Sequence, residues 1–210
     1  MRAIALALVL VATPAEAETE PLRHFDVGAS LGYAFPIGSS ERGARLSDVT
    51  FGSVPFDLVV TYRLSRVLAL GVSSAYGVVI PTLCVDSSDC ISSLGHDVSV
   101  TARARFFLPR FLGAEPYADV GVGYEWFASK LADSTVASTH TYDGPVLLSS
   151  EVSLPFGRGT RFRLGPVLGL FLGTFVDSRL EAPGVSRDLG VSERSVHAWL
   201  SLAVRTSVRF

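Results

Sequence analysis

The chain has 210 residues, of which 48% are hydrophobic and 18% charged, with a formal net charge of −2 and a mean hydropathy of +0.38. That balance excludes a disordered polar tail and a basic nucleic-acid binder, so no nucleic-acid partner is expected. An average this apolar commonly comes from transmembrane helices. Here the longest uncharged apolar run lies at the N-terminus, and no later segment reaches the roughly 18 residues a spanning helix needs. The apolar residues are instead spread in short alternating pieces.

Residues 1–17 read as a secretory signal peptide. Arg2 supplies a minimal positive region, Ile4 to Ala12 an apolar stretch, and Ala15-Glu16-Ala17 a small-residue cleavage site after Pro14. The apolar stretch is shorter than the roughly 20 residues of an uncleaved anchor. The expected mature protein is one domain over residues 18–210. The two cysteines, Cys84 and Cys90, sit in a polar stretch with no further Cys or His beside them, so a four-ligand zinc site cannot form locally. In an oxidising compartment the expectation is a disulfide closing a small loop.

Eight runs of strict period-two alternation follow, each the signature of a strand with unlike faces. Residues 24–35 place Phe25, Val27, Leu31, Tyr33 and Phe35 opposite Asp26, Gly28, Ser30 and Gly32. Runs at 54–64 and 67–78 are separated by Ser65 and Arg66 alone and so make a hairpin. The pattern continues at 97–108, where Arg103 and Arg105 alternate with Ala102, Ala104 and Phe106, and at 116–127, where Asp119 and Glu125 oppose Val120, Val122, Tyr124 and Trp126. It resumes at 145–156, with Val146, Leu148, Val152 and Leu154 opposite Ser149, Glu151 and Ser153, and at 162–175, where Pro166 predicts a bulge or an open bond. The eighth run, from Ser195 to Phe210, sets Val196, Leu200, Val204, Val208 and Phe210 against His197, Arg205 and Arg209.

The apolar face of these runs carries no charge. The other face carries Asp26, Asp57, Asp97, Asp119, Glu125 and Glu151 together with Arg63, Arg103, Arg105, Arg163, Arg205 and Arg209. Short connections (65–66, 109–115, 157–161) alternate with long polar ones (36–53, 79–96, 128–144, 176–194). These features predict an all-β fold, an eight-stranded antiparallel up-and-down transmembrane β-barrel with both termini in the periplasm. Three features turn the apolar face outward: aromatics at the ends of the runs, small residues on the polar face of a narrow barrel, and a charge-balanced set suited to an enclosed lumen.

On these runs, and on the closing segment Val204-Arg205-Thr206-Ser207-Val208-Arg209-Phe210, the chain resembles the small eight-stranded outer-membrane barrels that include the membrane domain of OmpA, OmpX and OmpW. The resemblance implies residence in the outer membrane of a Gram-negative bacterium, outer-membrane lipids as surroundings, and a monomer. It also implies that the barrel assembly machinery reads Val204, Val208 and Phe210 as a terminal signal. With the sequence stopping at Phe210, no periplasmic peptidoglycan-binding domain of the OmpA kind is expected.

Three functions fit such a barrel: a structural or surface-interaction protein acting through its outer loops on an unidentified extracellular ligand, a narrow passive pore, and a lipid-modifying enzyme. An enzyme needs a nucleophile or activated water beside a histidine. His24, His96, His140 and His197 show no such motif in the sequence, so no catalytic residue, cofactor or metal ligand is expected. Bulky inward residues, among them Arg63, Arg103, Arg105, Phe175, Trp199 and Arg205, argue against a wide channel. Neighbouring runs bring Asp26 near Arg63, Arg105 near Asp119, and Glu151 near Arg163, predicting a lumen ion-pair network of Asp26, Arg63, Arg105, Asp119, Glu151, Arg163 and Arg205.

Overall fold

The computed structural model describes residues 24–41, 44–81, 94–132, 137–157, 161–191 and 194–210. The expected leader at 1–17 and the Cys84/Cys90 pair lie outside them. Eight long strands form the wall: β1 (Phe25–Glu41), β3 (Thr50–Arg63), β4 (Leu68–Pro81), β5 (Gly95–Phe107), β6 (Tyr117–Ala132), β7 (Ala137–Ser153), β8 (Phe162–Thr174) and β11 (Val196–Arg209). Four short elements decorate the outer end: β2 (Ala44–Arg45), α1 (Leu46–Val49), β9 (Asp177–Ala182) and β10 (Val185–Asp188).

Each long strand pairs antiparallel with its neighbours in sequence order, and β1 pairs β11 from Asp26↔Arg209 to Gly38↔His197, so the sheet closes on itself. Closure leaves no wall strand with an unpaired edge in lipid, where an unsatisfied backbone group costs several kcal/mol. Terminal bonds complete the seam, with Phe210 N–H donating to Phe25 O at 2.9 Å. Alternation along the strands then decides what faces lipid. Leu31, Val72, Val122, Leu168, Leu202 and Val204 are exposed on the outside, while Asp119, Arg105, Glu125 and Arg205 are buried within.

The wall departs from the sequence reading in two places, and at Pro166 it takes the second of the two expected forms, an open bond without a bulge. Val146 was expected outside, but it is 2% exposed and faces the lumen. A bulge at Leu147–Leu148, opposite Val122, puts both leucines outward and, since two residues there oppose one, reverses the expected alternation above it, while Ser149 and Ser153 below it face the lumen as expected. Pro166 causes no register shift with β11, where it sits opposite Val204. Its missing donor falls on the β7 side, where Leu154 N–H still donates to Pro166 O at 3.2 Å. Finally, much of the expected long loops is strand. The β6–β7 ladder runs up to Ala132↔Ala137, and residues 176–194 contain the hairpin β9–β10, docked on β7 through Thr139↔Glu181 to Asp143↔Asp177. The apolar alternation stops where lipid stops, but Ser, Thr and Tyr in these segments still favour extended backbone, and the ladder still satisfies it.

Candidate functional site

The half of the lumen nearer the chain termini, the end expected to be periplasmic, holds a lattice of charges. Arg105 and Asp119 are opposite one another in the β5–β6 ladder and form a bidentate pair, Nε to Oδ1 at 2.9 Å and Nη2 to Oδ2 at 3.0 Å. Each side chain is 1% exposed, and the guanidinium also lies 3.8 Å from the centre of the Tyr117 ring. Asp26 pairs Arg209 at 2.9 Å across the closing seam and lies 3.8 Å from Arg105. Arg205 spans the lumen. It donates to Asp57 of β3 at 2.6 Å and to Glu151 of β7 at 2.7 Å, each two strands away, and Glu151 also meets Arg103 at 2.6 Å.

The expected Arg105–Asp119 pair is therefore present, but two other expected neighbours are not. Asp26 is held by Arg209 instead of Arg63, and Glu151 by Arg103 and Arg205 instead of Arg163. Sequence-adjacent strands were the wrong guide on two counts. The β1–β11 seam joins residues 183 apart, and in so narrow a barrel an arginine is long enough to cross the interior.

Arg63 and Arg163 reach downward to a residue the sequence reading left in a connection, Glu115, in the turn between β5 and β6. Its carboxylate also contacts Arg209 and lies 3.8 Å from Arg110. Burial alone would raise the pKa of Glu115, but Arg209, Arg163 and Arg63 outweigh it and hold the group down at about 2. The available signal was the surplus of arginine at the periplasmic end, which calls for an acid from the turns.

The outer half is closed by apolar and aromatic side chains. Phe127, Tyr142, Phe175 and Trp199 pack with Ala34 and Val79, and Leu46 at the start of α1 is inserted among them, fully buried. Ring centroids lie 5.2 Å apart for Tyr142–Phe175 and 6.2 Å for Phe127–Trp199. Beneath them His197 stacks on Phe175 at 4.0 Å, and its Nε2 is 2.6 Å from Glu125 Oε2, whose partner oxygen accepts from Trp199 Nε1 at 3.0 Å. Gly173 makes room for this arrangement, since a Cβ there would lie 2.8 Å from the imidazole. Leu46 and Tyr142 fall in segments read as loops, and the short helix α1 and the extension of β7 bring them into the plug.

The other histidines lie at the rims. His24 stacks on Tyr62 at the periplasmic end, and His96 meets Tyr76 Oη at 2.5 Å on the outside wall. His140 Nε2 is 2.8 Å from Ser178 Oγ, with Tyr142 Oη 3.0 Å from its Nδ1. That spacing matches a nucleophile beside a base. Ser178, however, is only 3% exposed, so a substrate carbonyl has no approach to it, and the contact pins β9 to β7. Ser195, two residues before His197 in the chain, donates to Ser39 O at 2.7 Å. Among the described residues no group of three His, Cys, Asp or Glu side chains could hold a metal ion. Phe210 and Val204 face outward at 62% and 56% exposure.

A closed up-and-down sheet with an apolar exterior and a charged lumen defines a small eight-stranded membrane barrel of the outer-membrane type. Solved structures share the fold. OprG of Pseudomonas aeruginosa superposes with a TM-score of 0.57 at 15% identity, covering 89% of this chain and 95% of its own. A major outer-membrane protein of Thermus thermophilus gives 0.56 at 12% identity over 88% and 99% of the two chains. Neisserial surface protein A gives 0.52 at 16% identity over 89% and 97%. No family model matches the sequence, and no curated protein matches it.

Proposed function

We propose that the protein is a non-enzymatic, non-conducting barrel of the Gram-negative outer membrane whose role is structural or interactive and is exercised at its outer rim. The observation that carries this reading is that both halves of the lumen are filled, the lower by Arg105–Asp119, Arg103–Glu151 and Arg205, the upper by Phe127, Phe175 and Trp199. Ion pairs that bridge strands two apart obstruct diffusion in a way that a polar lining does not. The extended β6–β7 wall with β9–β10 docked on it offers the surface that reaches furthest along the chain's own ladder. The refolded protein in planar bilayers is expected to give no ohmic single-channel steps. Steps of constant conductance would replace this reading with a narrow passive pore.

Export belongs to the same proposal. Cleavage after Ala17 and a Cys84–Cys90 disulfide are the expected products of passage through an oxidising periplasm. N-terminal sequencing and non-reduced peptide mass spectrometry of the membrane-extracted protein test them; a retained leader or two free thiols would refute the respective expectation. Recognition of Val204, Val208 and Phe210 by the assembly machinery is tested by Phe210→Ala, which should lower the amount of folded barrel in the membrane.

A further inference from the structure

The periplasmic end of the barrel carries a feature that the lumen does not explain. Each of its three turns presents an exposed arginine directly before an exposed apolar residue: Arg66-Val67, Arg110-Phe111-Leu112 and Arg161-Phe162. Val67 is 63% exposed, Phe111 67%, Leu112 83% and Phe162 54%. Among the described residues at this end, these arginines are the exposed charged side chains apart from His24, since Glu115 is turned into the lumen, where Arg63, Arg163 and Arg209 hold it and only the half-exposed Arg110 reaches it from the rim, at 3.8 Å. The outer rim differs, mixing exposed Asp48, Asp177, Glu181 and Asp188 with Arg45, Arg179, Arg187 and Arg194.

Backbone geometry adds a second, independent observation. Phe111 and Ala114 exchange hydrogen bonds around a two-residue turn in which Leu112 has φ 48° and Gly113 φ 80°. Both central positions are thus in the conformation that Asn-Gly ordinarily serves. A leucine there is strained, and it buries nothing within the chain. An apolar phase outside the chain gives such a side chain something to do. That phase adjoins the site, since bridges Phe111↔Ala114, Ala114↔Phe156 and Phe156↔Leu164 place Phe111 and Phe156 in one row with Leu164 on the lipid-facing wall.

We propose that this end is a collar for anionic phospholipid in the inner leaflet of the membrane, with Arg66, Arg110 and Arg161 on headgroup phosphates and Val67, Phe111, Leu112 and Phe162 in the adjoining acyl region. The repetition on all three turns favours a lipid annulus over a soluble acidic partner, which would meet one side of the rim. Guanidinium groups suit phosphate oxygens because their donors pair with them two at a time.

The test is native mass spectrometry of the refolded full chain released from micelles containing equal phosphatidylglycerol and phosphatidylcholine. The wild type is expected to retain phosphatidylglycerol with a preference of at least about five-fold, the size one arginine at an anionic surface supplies. R66Q/R110Q/R161Q should retain both lipids equally while still showing the heat-modifiable mobility of a folded barrel, and R179Q/R187Q/R194Q on the outer rim should keep the preference. Parity in the wild type, a preference that survives the periplasmic triple change, or one abolished equally by the outer triple change would overturn the proposal. Should the periplasmic triple variant not fold, R110Q alone and a salt titration of the wild type decide. The preference must fall in R110Q and collapse as salt shortens the screening length to about 3 Å at 1 M, and a preference indifferent to either overturns the collar.

Discussion

The two halves of the lumen solve the same packing problem with opposite chemistry. Below, arginine and carboxylate side chains interlock so that each charge depends on named partners, as Glu151 depends on Arg103 and Arg205. Above, aromatic rings and Leu46 fill the space, with Glu125 enclosed at their base between His197 and Trp199. The difference teaches where the barrel is brittle. Removing one member of a buried pair strands the other charge, whereas truncating a ring leaves a gap that neighbours can partly refill.

The largest expected effect is therefore in the lattice. Glu151→Gln should lower unfolding stability by about 3–5 kcal/mol, the usual result of breaking a buried pair from one side. Arg205→Met should do the same, and the double variant should lose much less than the sum. Glu151→Gln with Arg163→Met should be additive, because Arg163 is engaged with Glu115 and not with Glu151. Urea titration of the refolded variants in micelles measures both cycles. Additivity in the Glu151/Arg205 cycle would mean that the lattice is not structural. In the outer half, Phe127→Ala should cost about 2–3 kcal/mol by the same measurement, at or below the low end for a buried phenylalanine because the mouth can take up water. A larger loss there than in the lattice would reverse the comparison.

Glu115 links the lower half to the turns and gives it a pH dependence. Its folded-state pKa of about 2 lies below its ordinary 4.5, so the unfolded chain takes up the proton first as pH falls. The stabilisation is present in full above about 4.5 and is lost on the way down through about 2. Urea midpoints should accordingly drop between pH 5 and pH 2 in the wild type and drop less in Glu115→Gln, with the variant already weaker at pH 7. Equal slopes in the two proteins would show that the arginines draw no support from this carboxylate.

How much of this was legible in the sequence follows from what each feature depends on. Strand number, closure and the outward face depend on alternation between neighbours in the chain, and all eight runs are strands of the wall. The bulge at Leu147–Leu148 was hidden because two adjacent leucines fit either phase of the alternation. The Arg105–Asp119 pair could be read because those residues are opposite in a hairpin ladder, while Arg209–Asp26 and Arg205–Asp57 depend on closure and on side-chain reach across the interior. Tyr142 escaped notice because the ladder continues past the apolar band, beyond the point at which hydropathy stops reporting it, and Leu46 because it starts a four-residue helix inside a segment read as a loop.

The smallest expected effect bears on the periplasmic turn. Leu112 occupies a left-handed conformation that costs a non-glycine residue about 1–2 kcal/mol, and asparagine tolerates it because its short side chain can bond locally. Since Leu112 is 83% exposed, replacing it removes no packing within the chain. Leu112→Asn should thus stabilise the barrel by about 1 kcal/mol in detergent micelles, measured by urea midpoint at unchanged slope. In phospholipid bilayers the leucine gains the contact that asparagine lacks, so the advantage should shrink or change sign. An equal gain in both media would mean that the strain at this turn is unrelated to lipid.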